Sequence, residues 1–200
     1  PRVWDTLAYL EGLQQTVAKG MSLADLIVLA ASAAIEKASE ELVKVQFTPG
    51  RTDATQEQTD VESFAVLEPI ADGFINYLKK DTTVPSEVLL VEKANMLGLT
   101  PVEMVVLLGG MRTLVGQSLH TGYLNAMVSG KFSWTKVSED SYLATRDGQD
   151  AGSATRADLI VGSNSELRAI AEVYASDDAK QKFLNDFASV WTKVMNLDMF

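Results

Sequence analysis

Few side chains in this 200-residue sequence could carry chemistry, and the absences restrict it most. Cysteine is missing, which removes disulfides, thiolate nucleophiles and thiolate metal sites together. His120 is the single histidine, so any centre that needs two imidazoles is excluded. It follows Gly116-Gln117-Ser118-Leu119 and reads as a surface loop residue, not a haem or metal ligand. No serine sits in a Gly-x-Ser-x-Gly elbow, and the only candidate base is that lone histidine. Asp53, Glu57, Asp60 and Glu62 gather carboxylates, but without the central glycine and closing glutamate of a calcium loop. Gly109-Gly110-Met111-Arg112 ends an apolar helical run and does not join a strand to a helix, so it is no phosphate cradle. Arg112 and Asp158 differ from the other charges. Arg112 follows Val105-Val106-Leu107-Leu108 and Asp158 precedes Leu159-Ile160-Val161, and a charge set among apolar residues needs a partner. Either the two form a structural ion pair or they stand apart as separate, partly exposed residues. The residues alone describe a soluble helical domain with no visible active site: catalytic residues none, metal ligands none.

Charge and hydropathy bound the partners. There are 17 Lys plus Arg against 27 Asp plus Glu, a net charge of -10, which repels polyanions and argues against nucleic acid. The most apolar stretch, Leu23 to Ile35, is too short for a bilayer and contains Asp25, so no membrane association is expected. No charged leader precedes an apolar segment, and Pro1-Arg2-Val3-Trp4 opens the chain as a boundary inside a longer protein would.

The elements that must position these residues are helical. Leu7, Leu10, Leu13 and Val17 have helical spacing. Ser22 is placed to cap a helix through Leu23, Leu26, Ile27, Ala30, Ala33 and Ala34, apolar almost all round and therefore expected in the interior. Phe47 to Thr59 carries Thr48-Pro49-Gly50-Arg51-Thr52-Asp53 without a period and reads as a long ordered loop. Asp60 to Phe74 is ambiguous because Pro69 interrupts it. Pro85-Ser86 opens Glu87 to Leu97, stopped at Gly98. Thr100-Pro101-Val102-Glu103 then starts Val102 to Leu114 with an N-cap, a first-position proline and a third-position glutamate. Tyr123, Leu124, Met127 and Val128 suit a short helix, and Phe132, Trp134 and Tyr142 pin a small hairpin. Ser165 is expected to cap Glu166 to Tyr174. Ser176 with Asp177 and Asp178 would start the last helix, whose apolar face is Phe183, Leu184, Phe187, Val190, Trp191 and Val194. The expected fold is all-α, with at most a small β-hairpin.

Three long strings resemble the C-terminal domain of catalase-peroxidases, within the class I haem peroxidase superfamily. The first is Thr48-Pro49-Gly50-Arg51-Thr52-Asp53-Ala54-Thr55-Gln56-Glu57-Gln58-Thr59-Asp60-Val61-Glu62-Ser63-Phe64-Ala65-Val66-Leu67-Glu68-Pro69. The second is Gly162-Ser163-Asn164-Ser165-Glu166-Leu167-Arg168-Ala169, followed by Ala171-Glu172-Val173-Tyr174. The third is Trp191-Thr192-Lys193-Val194-Met195-Asn196-Leu197-Asp198. With Ser22 to Ile27 and Gly109 to Arg112, the resemblance spans nearly the whole chain.

What it implies is a haem-peroxidase-like helical domain over residues 1–200, truncated at its N-terminus. Catalase-peroxidases pair an N-terminal domain that binds haem b with a C-terminal domain that keeps the fold without haem, shapes its neighbour's active site and takes part in dimer contacts. The resemblance places Met111 at the lost proximal-ligand position, Asp158 at the former proximal aspartate and Trp134 at the tryptophan position, with the distal helix upstream of Pro1. The stretch Gly116 to Thr121 is shorter than the family's usual loop. The implied role is a non-catalytic structural domain, inactive alone and without a cofactor. Its parent would be a cytoplasmic homodimer that converts hydrogen peroxide to water and oxygen and oxidises organic donors, a defence against oxidative stress. Three expectations follow: Arg112 contacts Asp158 where the haem's proximal side would have been, apolar surface is exposed around Trp4, Leu7 and Leu10, and no haem binds with a defined axial ligand. The alternatives are a self-contained protein-binding module using the 47–60 loop, a residual haem enzyme, or an unrelated small-molecule enzyme.

Overall fold

Helix α5 (Pro101–Leu114) is the element around which the others are arranged. Thr100 Oγ1 accepts from the Glu103 amide at 3.3 Å while Glu103 Oε2 accepts from the Thr100 amide at 2.7 Å, with Pro101 at the first position, as the sequence predicts. The helix is apolar on most faces because it is covered on most faces: Val105, Val106 and Leu108 have no exposed surface.

The computed structural model describes residues 3–67, 71–75, 77–78 and 82–199. Before α5 come α1 (Val3–Thr16), α2 (Leu23–Ala38), the short α3 (Val61–Leu67), a two-strand pair β1 (Ala71–Asp72) and β2 (Tyr77–Leu78), and α4 (Ser86–Met96). After it come α6 (Gly122–Val128), strands β3 (Ser133–Lys136), β4 (Ser141–Arg146) and β5 (Gln149–Thr155), then α7 (Arg156–Ser163), α8 (Ser165–Ala175) and α9 (Lys180–Met195). α5 packs on α6, α8 and α9, while α7 bridges α4, α6 and α8. Leu90, Leu124, Val161, Phe183, Leu184 and Phe187 are also fully buried. α4 and α5 meet at 115°, and among the described residues no single helix is long and apolar enough to cross a membrane.

The ambiguous stretch from Asp60 resolves into α3 and the β1–β2 pair, with Pro69 itself outside the described residues. The fold is mostly helical, and its small β element has one strand more than the hairpin predicted. β3, β4 and β5 form an antiparallel sheet in that order, with Trp134 opposite Ala144 and a bulge between Ala144 and Thr145. Asp147 and Gly148 join β4 to β5 with φ of 53° and 78°, the left-handed pair that a two-residue hairpin turn needs. The extra strand carries no apolar alternation and is held by its pairing to β4.

Three local expectations need correction. α2 is not an interior helix: Ile27, Ala33 and Ala34 are exposed, and its buried positions are Asp25, Leu26, Ser32 and Ile35. Its all-round apolar character comes largely from alanines, which favour a helix but bring little area to bury. α8 is capped by Asn164, whose Oδ1 accepts from the Glu166 and Leu167 amides at 3.1 Å, and Ser165 is already helical. α9 begins behind Ala179 with no side-chain cap, while the Ser176 hydroxyl donates backwards to the Val173 carbonyl at 2.7 Å.

The paired glycines of α5 have separate neighbours. A Cβ at Gly109 would meet Leu124 Cγ at 3.1 Å, and one at Gly110 would lie 2.1 Å from Phe187 Cε2. Phe187 lies fully buried against α5. Gly110→Ala should therefore lower stability by about 1–3 kcal/mol, well beyond Gly109→Ala, as read from urea midpoints at constant m-value.

Candidate functional site

Two helices and the end of β5 deliver side chains to one carboxylate on α7. Thr155 caps α7: its Oγ1 accepts from the Asp158 amide at 3.4 Å, and Asp158 Oδ2 accepts from the Thr155 amide at 2.8 Å and hydroxyl at 3.0 Å. This capping box fixes Asp158 in the first turn of α7, with 4% of its surface exposed. From the last turn of α5, Arg112 Nε donates to Asp158 Oδ1 at 2.7 Å. From α6, the Tyr123 hydroxyl lies 3.3 Å from both Asp158 Oδ1 and the Asp158 carbonyl. The remaining Arg112 nitrogens reach outward, Nη1 to the Phe74 carbonyl and Nη2 to the Gly73 carbonyl at 3.2 Å. The Gly73 turn is itself pressed on α4, where an added Cβ would come within 2.5 Å of the Leu90 amide nitrogen.

The electrostatics follow from burial. Desolvation pushes the Tyr123 phenol well above its ordinary range, the Asp158 charge pushes further, and Arg112 opposes both. The phenol thus stays a proton donor to the carboxylate. Arg112, Thr113, His120, Tyr123, Met127 and Asp158 border a cleft of about 400 Å³, so the aspartate does not face that space alone.

The other predicted residues are dispersed. Met111 precedes Arg112 and is half-buried against the core. His120 is exposed, and its Nδ1 accepts from the Gly122 amide at 2.9 Å, closing the first turn of α6. Trp134 lies on β3, tilted against Phe132 at 6.1 Å between ring centres. Among the described residues, no hydrogen bond joins it to Asp158. Among them, too, no group of three or more His, Asp or Glu could hold a metal.

The acidic loop works as a clasp. Asp53 accepts from the Leu23 and Ala24 amides at 2.7 and 2.9 Å, covering the start of α2 beside the Ser22 cap. Those amides hold its carboxyl below the usual range, Leu23 most. Arg51 is buried against Asp25: Nη1 reaches Asp25 Oδ1 at 3.2 Å and the Thr48 carbonyl at 2.8 Å, while Nε reaches Asp198 at 3.0 Å. Asp25 also accepts from the Gly50 and Arg51 amides at 2.8 and 3.2 Å, and its carboxyl is lowered mainly by the Gly50 bond. Sequence reading passed over this pair. The available signal was a charge at Asp25 inside an apolar helix, the same signal that marks Arg112 and Asp158.

With this geometry in view, comparison with known proteins is decisive. The sequence matches the peroxidase family over residues 3–177. The chain belongs to the peroxidase family. It is 49% identical over 221 residues to the catalase-peroxidase of Streptomyces ambofaciens and 54% identical over 201 residues to that of Rhodococcus jostii (strain RHA1), taking in 97% and 90% of this chain. The chain spans about 30% of the length of the curated relatives it matches. The alignment to the catalase-peroxidase of Geobacillus thermodenitrificans (strain NG80-2), 47% identical, takes in 100% of the chain yet runs over 219 positions, so that relative carries residues absent here.

Two predictions follow. Replacing Arg112 or Asp158 alone with leucine should cost about 3–5 kcal/mol, because each leaves the other buried without its main partner. The double replacement should cost much less than the sum of the singles, with about 1 kcal/mol remaining for the lost α7 cap. Chemical denaturation of the four-member cycle measures this. Asp25 and Asp53 have depressed folded-state values, so their contribution is complete above the unfolded carboxylate value of about 3.9 and is lost as pH falls through the folded one. Thermal melts from pH 7 down to 2 should show a fall in Tm below about pH 4 that is shallower in the Asp53→Asn protein.

Proposed function

We propose that residues 1–200 act as the haem-free C-terminal domain of a catalase-peroxidase, a non-catalytic structural domain that supports a haem-containing N-terminal domain decomposing hydrogen peroxide. The observation that carries this reading is the fate of the proximal site. By the resemblance, Met111 stands where the iron ligand would be and Asp158 where its aspartate would be; in this chain Asp158 is engaged by Arg112, Tyr123 and Thr155. An imidazole ligand would need that carboxylate to orient it. The only histidine is exposed, with Nδ1 committed to the Gly122 amide. These residues do not fit a b-type haem, for which a thioether alone is a poor anchor. On this reading haem b belongs to the parent's other domain, this domain has no cofactor, and the complete protein is a cytoplasmic homodimer.

Surface composition supports a partner within the parent. On α1, Trp4 is 75% exposed and Leu7 half-buried, while Leu10 is buried. On α3, Val61, Phe64 and Val66 are exposed. Exposed apolar groups clustered on peripheral helices suit a covered interface better than bare solvent. The 47–60 loop is a weaker candidate for a free binding element, since Asp53 and Arg51 tie it to α2 and the last turn of the chain.

The test joins two measurements. Mixed with a catalase-peroxidase lacking its C-terminal domain, this chain should raise peroxide turnover, and Trp4→Glu should weaken the effect. Titrated alone with haem, it should give no sharp stoichiometric Soret shift. Failure to raise turnover, together with a Soret shift abolished by Met111→Ala or His120→Ala, would overturn the reading.

A further inference from the structure

The helices α8 and α9 hold four aromatic rings in sequence. Tyr174 meets Phe183 edge-on with centres 6.0 Å apart, Phe183 lies 6.3 Å from Phe187, and Phe187 stacks on Trp191 at 6.3 Å and 25°. The α9 members recur every fourth residue, so one face of the helix presents them in a row. Only the two ends of the row, a phenol and an indole, lose an electron readily. The two phenyl rings between them, both fully buried, fill the interval with π-systems.

The ends differ in what they can do with a proton. The Trp191 Nε1 is buried and has no hydrogen-bond acceptor among the described residues. The Tyr174 hydroxyl donates to Asp186 Oδ2 at 2.6 Å, a short charge-assisted bond. Lys182 Nζ lies 3.4 Å from the same hydroxyl and 5.0 Å from the ring centre, and it is also paired with Asp186. Burial and the Asp186 bond push the phenol upward, so Tyr174 is fully protonated at neutral pH. The edge of Trp191 borders an apolar cleft of about 460 Å³, formed with Ala34, Ile35 and Leu114.

We propose that this row is a one-electron relay in which Trp191 passes an oxidising equivalent to Tyr174 and Asp186 takes the phenolic proton. An outer-sphere one-electron oxidant removes an electron from the Trp191 indole and is itself reduced by one electron. With no acceptor for the indole N–H among the described residues, the product remains a radical cation and stays strongly oxidising. An electron then leaves Tyr174 for Trp191 as the phenolic proton moves to Asp186 Oδ2. The products are the restored indole, a neutral tyrosyl radical and a protonated Asp186, so charge and protons balance. The Lys182 ammonium beside the phenol disfavours a tyrosyl radical cation, which ties electron loss to proton loss. Tyr174 is therefore the sink: its phenol has Asp186 as proton acceptor, while the indole has none among the described residues, and that difference sets the direction. This inference does not depend on the support role proposed above.

The test uses the full chain carrying Trp4→Phe and Tyr9→Phe, which removes the exposed indole and phenol of α1. A flash-generated ruthenium(III) tris-bipyridine oxidises the protein, and freeze-trapped samples are read by electron paramagnetic resonance. The expected result is a tyrosyl signal that Tyr174→Phe replaces with an indole signal. Trp191→Phe should sharply reduce the tyrosyl yield, and Asp186→Asn should shorten the radical's lifetime while helix content by circular dichroism stays intact. A tyrosyl signal that survives Tyr174→Phe overturns the proposal. A Tyr174 radical formed in undiminished yield in Trp191→Phe overturns the relay as well, since oxidation would then be direct.

Discussion

A buried carboxylate must be supplied with donors or be neutralised, and much of the domain's wiring meets that demand at Asp158. Its oxygens receive the Arg112 guanidinium from α5, the Tyr123 phenol from α6, and the amide and hydroxyl of Thr155 at the start of its own helix. Through Arg112 the network extends to the carbonyls of Gly73 and Phe74, and so to the turn that rests on α4. One charge thereby registers α4, α5, α6 and α7 against each other. Hydrophobic burial supplies the driving force, but it is non-directional and would tolerate slippage of these short helices. Directional bonds to a single carboxylate do not.

The same logic operates at the opposite end of the chain, with the charges reversed in role. There the central group is the cation Arg51, and its acceptors come from α2, its own loop and the residues that end α9. Arg112 is joined to one aspartate and Arg51 to two, Asp25 and Asp198, and both centres draw on backbone groups as well as side chains. The Arg51 centre fastens a loop without regular structure to helices, which apolar packing alone does poorly for a segment rich in Thr, Asp and Gly, and the Asp158 centre fastens the turn between β1 and β2.

Legibility in the sequence followed the local character of each signal. Ser22, the Thr100-Pro101-Val102-Glu103 start and the apolar row of α9 were readable because cap and period lie within a few residues. The pairing of Arg112 with Asp158 was readable as a demand, since charges among apolar neighbours need partners. The Arg51 pair escaped because its loop gave no hint of burial, and the Thr155 cap because it follows a strand with no apolar alternation. α2 misled because alanine scores as apolar while contributing little surface to hide. Only for the Arg51 pair was the deciding partner distant in sequence; the Thr155 cap is local, three residues from Asp158.

The Arg51 clasp also bears on the order of events in folding. Its bond to Asp198 spans 147 positions of a 200-residue chain, whereas the capping boxes close over three. Closing so long a loop forfeits chain entropy before any contact returns it, so such a contact forms late, after the local helices and their nearest neighbours have condensed. Interactions absent from the transition state act on the rate of leaving the native state and hardly on the rate of reaching it. The clasp between the 48–53 loop and the chain's last turn is thus a kinetic fastening: it sets how long the folded domain persists.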